Sequence, residues 1–337
     1  MERNLAGCIS PLSSARTRSE YHIASRMASG STKAVLAALF ANLCIAIAKF
    51  VGYAFTSSSS MLAEAIHSVA DTSNQALLLL GGRRAAMKAT PEHPFGHGRE
   101  RYFWSFIVAL VLFTLGGLFA IYEGWHKLGE ESHELSNVQW AIGILVLGIF
   151  LEGYSLRTAI KLSRPLKGRA TWWQFIRRSR SPELPIVLLE DLGALTGLVL
   201  ALLGISIAAV TGDSRWDAYG TIAIGVLLVA IATVLVFEMK SLLIGESAVA
   251  PMRKTIVEVI TGTENIDAVL HMRTQHIGPD ELLVAAKVQL TPGLETAGVA
   301  AAINHAEQRI REAIPIECII YLEPDMFDPK HPSLARD

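Results

Sequence analysis

Six stretches of roughly twenty largely apolar residues, 35–55, 61–80, 103–121, 138–156, 186–208 and 219–239, constrain what this chain can fold into. A helix rising 1.5 Å per residue needs about 20 apolar residues to cross a bilayer. Six such stretches predict a six-helix membrane domain. The composition agrees, with 51% hydrophobic and 18% charged residues in 337, against roughly 25% charged in an average soluble domain. A net charge of -1 supplies no basic field for nucleic acid. Cys8, Cys44 and Cys318 are too scattered for a disulfide framework or a thiolate zinc site.

The second stretch is the least apolar because it carries Glu64, His67 and Asp71, so charge must decide whether it spans. Arg83, Arg84, Lys88, Arg99 and Arg101 follow it, and a second basic run from Lys161 to Arg180 separates stretches four and five. The connection 56–60 is uncharged, Lys127 stands among Glu130, Glu131 and Glu134, and Arg215 is the one basic residue between stretches five and six. Basic residues thus alternate between sides only if all six span, which places both termini in the cytoplasm. Residues 1–30 lack an apolar signal core and read as a polar tail, with a faint likeness to an organellar presequence.

Residues 31–245 therefore form the membrane domain, and the pattern changes after Met239. Residues 251–261 read as a helix, and 268–277 and 282–290 as strands joined at Gly278-Pro279-Asp280. Residues 295–314 follow helical spacing, and 316–322 form a last strand. The order αββαβ predicts a small two-layer α+β domain at 246–330. A domain so small gains from pairing with a second copy.

Ionisable groups inside a bilayer cost a few kcal/mol each, so they mark cavities, partners or ion paths. His67 and Asp71, spaced i, i+4, stack on one helix face, where an imidazole and a carboxylate can share a divalent ion or simply bond each other. Glu190 and Asp191 stand near the start of the fifth stretch, and consecutive residues point about 100° apart, so both need not face one cavity. Glu152 reads as a protonatable group or as the partner of Lys49. Asp217 precedes the sixth stretch in the manner of an N-cap. His93 and His97 flank Pro94-Phe95-Gly96 in the basic loop, as a metal pair or a structural turn.

These residues resemble the cation diffusion facilitators. The resemblance is carried by Gly52 and the serines 57–60, by Ala63 to Asp71, by His93-Pro94-Phe95-Gly96-His97-Gly98-Arg99, and by Asp217-Ala218 before Gly225. Asn74-Gln75 and Leu189-Glu190-Asp191 look most like the zinc transporter nine-like branch. The resemblance implies a secondary transporter that exports a divalent cation, Zn2+ foremost and Mn2+, Fe2+ or Co2+ as alternatives, from the cytoplasm in exchange for protons. It implies a metal site at His67 and Asp71 with Asp191, and Glu190 beside it, and an accessory metal at His93 and His97. The family's second spaced pair is missing, since Val187 stands four before Asp191 and Ala194 four after Glu190. It also implies a ferredoxin-like, metallochaperone-like cytoplasmic domain that forms a homodimer, with His271, His276, His305 and Glu323 as polar candidates there. The host is a bacterial inner membrane or an organelle. A non-transporting sensor or partner, or an intramembrane metalloenzyme, are the alternatives, although no HExxH or GxSxG lies in the spans.

Overall fold

The structure is a computed structural model that describes residues 32–129 and 137–326, with side chains from residue 42 onward. The polar tail and the acidic residues Glu130, Glu131 and Glu134 lie outside the described residues. Two compact units meet in the chain between Gly245 and Glu246.

The first unit is a bundle of long helices: α1 (Thr32–Thr56), α2 (Ser59–Ala85), α3 (Glu100–Gly129), α4 (Val138–Lys167), α5 (Glu183–Thr211) and α6 (Arg215–Ile244). A short helix, Trp172–Arg178, precedes α5 and starts with a capping box between Thr171 and Gln174. Among the described residues, α3, α4, α5 and α6 are long and apolar enough to cross a membrane. The apolar part of α1 with described side chains runs over Asn42–Thr56. At 27 residues α2 has the length, but its mean hydropathy is low because Ser59, Ser60, Glu64, His67, Ser68, Asp71 and Asn74 interrupt it. All seven are buried, so the polarity points into the protein.

Local chemistry sets the helix ends. The Ser58 side chain accepts the Met61 N–H to open α2, and Arg83 and Arg84 occupy its last turn, where cations favour the carboxyl end of the dipole. Gly212, at φ 72°, ends α5 in the left-handed conformation. Small residues let α3 and α6 touch, since a Cβ on Gly117 would sit 2.6 Å from Val229 Cγ2. The core between helices joins Met61, Tyr102, Leu112, Leu145, Leu198 and Leu228. Within α3, Leu112–Leu118 widens into a π-helical turn.

The second unit contains α7 (Ala250–Thr261), β1 (Ile266–Gly278), β2 (Glu281–Leu290), α8 (Thr296–Ala313) and β3 (Glu317–Pro324). Each element begins and ends within two residues of the sequence expectation. The sheet order is β1-β2-β3, with β1 antiparallel and β3 parallel to β2. The hairpin turns at Pro279-Asp280, while the parallel strand needs the α8 crossover. On β2, Leu282, Val284, Ala286 and Val288 are buried and alternate with half-covered neighbours. They meet Ile256, Ile260, Ala306 and Ile310 of the helices, which gives one layer of helix on one layer of sheet.

Candidate metal site between two helices

The α2 amino terminus is tied down by a residue far along the chain. Asp217 Oδ2 accepts the Ser59 N–H at 2.8 Å and the Ser59 hydroxyl at 3.0 Å, while Oδ1 accepts the Ser58 hydroxyl at 2.9 Å. Ser60 Oγ donates to the Asp217 carbonyl at 3.1 Å. Asp217 does act as a helix cap, but on α2 and not on its own helix, which opens at Ser214. An anion at a helix amino terminus satisfies orphan N–H groups and the dipole together.

From this anchor, α2 presents Glu64, His67, Ser68, Asp71 and Asn74 to the interior. His67 Nε2 lies 3.6 Å from Asp71 Oδ2, too far for a hydrogen bond. Among the described residues both His67 nitrogens are buried without a hydrogen-bond partner, as is Asp71 Oδ1. A buried polar atom left unpaired costs about 1–3 kcal/mol, so this is capacity held open for something. Across from α2, Asn74 Nδ2 donates to Glu190 Oε1 of α5 at 2.8 Å, and the Glu190 carboxyl adjoins that of Asp71. The π turn of α3 lies on another side, where a Cβ on Gly116 would be 3.6 Å from His67 Nδ1. Asn42, Ile45, Ser68, Asp71 and Glu152 line a tight crevice on the Asp71 side.

Of the residues expected at the site, the fold sets Asp71 beside His67 on α2 and beside Glu190 of α5. Asp191 faces elsewhere and accepts the Ser155 hydroxyl of α4 at 2.9 Å. The 100° between consecutive helix residues separates the two acids. Among the described residues no three His, Cys, Asp or Glu side chains stand close enough to form a ready ion cage. The expected pairing of Glu152 with Lys49 is corrected: Lys49 Nζ bonds Glu64 Oε2 at 3.0 Å and Ser68 Oγ at 2.8 Å. Both charges of that pair are fully buried. Sequence reading passed over it, although two charges in apolar helices require partners and Lys49 and Glu64 are one such pair.

The loop histidines stack, with His93 and His97 ring centroids 4.7 Å apart, inside a turn pinned by the Thr90 and His93 backbones. In the second unit His271 accepts a hydrogen bond from Arg273, and the histidines there join no metal-sized cluster among the described residues.

The cation efflux transmembrane domain family matches residues 35–244. The chain is 31% identical over 262 residues to the "Proton-coupled zinc antiporter SLC30A9, mitochondrial" of Xenopus laevis, covering 77% of this chain and 46% of that protein. The mouse protein of the same name is 29% identical over 261 residues, covering 77% and 46%. "Metal tolerance protein C4" of Arabidopsis thaliana is 30% identical over 262 residues, covering 77% and 57%. The chain spans about half the length of these curated relatives.

Proposed function

Because the chain belongs to the cation efflux, or cation diffusion facilitator, family, we propose that it is a transporter, not an enzyme, exporting a divalent metal ion from the cytoplasm in exchange for protons. Zn2+ is the proposed substrate. The observation that carries this reading is His67: a buried imidazole with neither nitrogen hydrogen-bonded among the described residues, one helical turn from Asp71, which in turn adjoins Glu190. The zinc antiporter names of the relatives agree with the ion and with the proton coupling.

The coupling follows from the ligand chemistry. Imidazole binds metal only when neutral and carboxylate only when ionised, so an arriving ion expels protons and arriving protons expel the ion. His67, Asp71 and Glu190 would take the metal from facing sides of α2 and α5. Mixed nitrogen and oxygen donors suit zinc, whereas Mg2+ and Ca2+ prefer all-oxygen shells. Mn2+, Fe2+ and Co2+ rank behind it as substrates.

All six long helices span in this reading, with both termini cytoplasmic. Exposed aromatic residues support it: Phe55 at the end of α1, Tyr122 and Trp125 late in α3, Trp140 early in α4, and Trp216 and Tyr219 early in α6. Charge alternation assigns those helix ends to the same side, and aromatic belts mark a membrane interface. The αββαβ unit is the proposed homodimer contact, and an organelle membrane matches the mitochondrial label of the relatives.

The test is zinc uptake into vesicles reconstituted with the protein and loaded at acid pH. The expected result is uptake driven by the pH gradient and lost in His67→Ala and Asp71→Ala while the protein stays folded. A second reading, a non-transporting sensor or partner that keeps the fold, draws on the lack of a ready three-residue cage among the described residues. Zinc binding without gradient-driven flux in the unmodified protein would favour it.

A further inference from the structure

The seam between α2 and α5 has two levels. Asp71 meets Glu190 at one. Seven residues back along α2 and seven forward along α5, Glu64 meets Gly197, where an added Cβ would lie 2.7 Å from Glu64 Oε1. Seven residues are two turns, roughly 10 Å along each axis, so the helices run antiparallel with His67 between the levels. Glu64, His67 and Asp71 share one face of α2 at i, i+3 and i+7. Glu64 is thus a fourth potential donor beside the three of the proposed ion site, fully buried, with Oε1 unpartnered among the described residues.

What occupies Glu64 is Lys49. Its ammonium holds Oε2 at 3.0 Å and Ser68, the neighbour of His67, at 2.8 Å, with only 1% of the lysine side chain exposed. An ion pair so buried adds little stability over an apolar pair of the same shape, so its place beside the site asks for another reason.

We propose that Lys49 is a resident counter-cation that keeps Glu64 out of the ligand set and so sets which divalent ion the site prefers. The inference rests on the proposed ion site at His67, Asp71 and Glu190. With Lys49 in place, the site offers one imidazole and two carboxyls. Without it, Glu64 is a bare carboxylate one turn from His67, and the donor set shifts toward hard oxygen, which favours Mn2+ relative to Zn2+. Removing Glu64 alone has a different effect: an uncancelled ammonium in a water-poor interior repels any divalent ion.

The experiment is equilibrium binding of Zn2+ and Mn2+ to the purified, detergent-solubilised full chain. Lys49→Met is expected to lower the Zn2+ over Mn2+ affinity ratio about tenfold, and Lys49→Met with Glu64→Gln to return it to within about twofold of the parent. Glu64→Gln alone, which keeps the lysine, is expected to weaken both ions about tenfold. An unchanged ratio in Lys49→Met overturns the proposal, as does a double variant that keeps the altered ratio. If Lys49→Met does not fold, Glu64→Gln decides, and unchanged Zn2+ affinity there overturns it. Failure of His67→Ala to weaken Zn2+ binding would instead remove the underlying site reading, and flux without a change in these ratios would spare it.

Discussion

Asp217 of α6 holds the first turn of α2 through Ser59, accepting its N–H at 2.8 Å and its hydroxyl at 3.0 Å, although the aspartate lies 159 and 158 positions along the chain from the bonded serines 58 and 59. The amino-terminal end of α2 is therefore locked to α6, and Asp71 follows about three turns along the helix from that lock.

Asp217→Ala leaves the Ser59 N–H and two buried hydroxyls without an acceptor. Losing a cap costs about 1 kcal/mol, and orphaned buried donors about 1–3 kcal/mol more. Thermal unfolding in detergent should show a clear fall in midpoint for the alanine variant and a smaller one for Asp217→Asn, which keeps one carbonyl acceptor. Equal midpoints for all three proteins would mean that water replaces the carboxylate there.

Burial pushes the Cys318 thiol in β3 up to about 11. The thiolate is the reactive form, so at neutral pH its population is ~100-fold below that of an ordinary thiol. With Cys8 and Cys44 replaced by serine, N-ethylmaleimide should label the folded protein slowly and the denatured protein at the normal rate. Fast labelling of folded protein would show that β3 opens readily.

Glu281, at the start of β2, is held above the usual carboxylate range by burial first, then by Glu317 and Asp280. A carboxyl with a raised folded value favours folding below its unfolded value and loses that contribution as pH rises through the folded one. Glu281→Gln should therefore raise the hydrogen-exchange protection of β2 amides at pH 7 and change little near pH 4. Protection that falls at pH 7 would indicate that the ionised carboxylate has a stabilising partner.

The α+β unit was legible because β2 alternates buried and half-covered residues and α8 repeats its apolar positions at helical spacing. Pro279-Asp280 marked the hairpin. Those signals are local, and burial amplifies them. The His67 and Asp71 face was legible for the same reason, since a one-turn spacing lies within one helix. What the sequence left open depends on how helices rotate against each other. Nothing in the neighbours Glu190 and Asp191 tells which faces α2, and the answer comes from Asn74 on one side and Ser155 on the other. The partner of Lys49 was equally hidden, because Glu64 and Glu152 are both acids in apolar helices and only packing chooses between them. The cap on α2 was missed because its acid lies in another helix.

The most direct test of the central claim, that the ion lies between the His67–Asp71 face of α2 and Glu190 of α5, compares Glu190→Gln with Asp191→Asn in the acid-loaded vesicles. Loss of a ligand from a transport site should cut gradient-driven zinc flux at least ~100-fold in Glu190→Gln, while Asp191→Asn, which keeps a hydrogen bond with Ser155, stays within about threefold of the parent. Full flux in Glu190→Gln with flux lost in Asp191→Asn would contradict it.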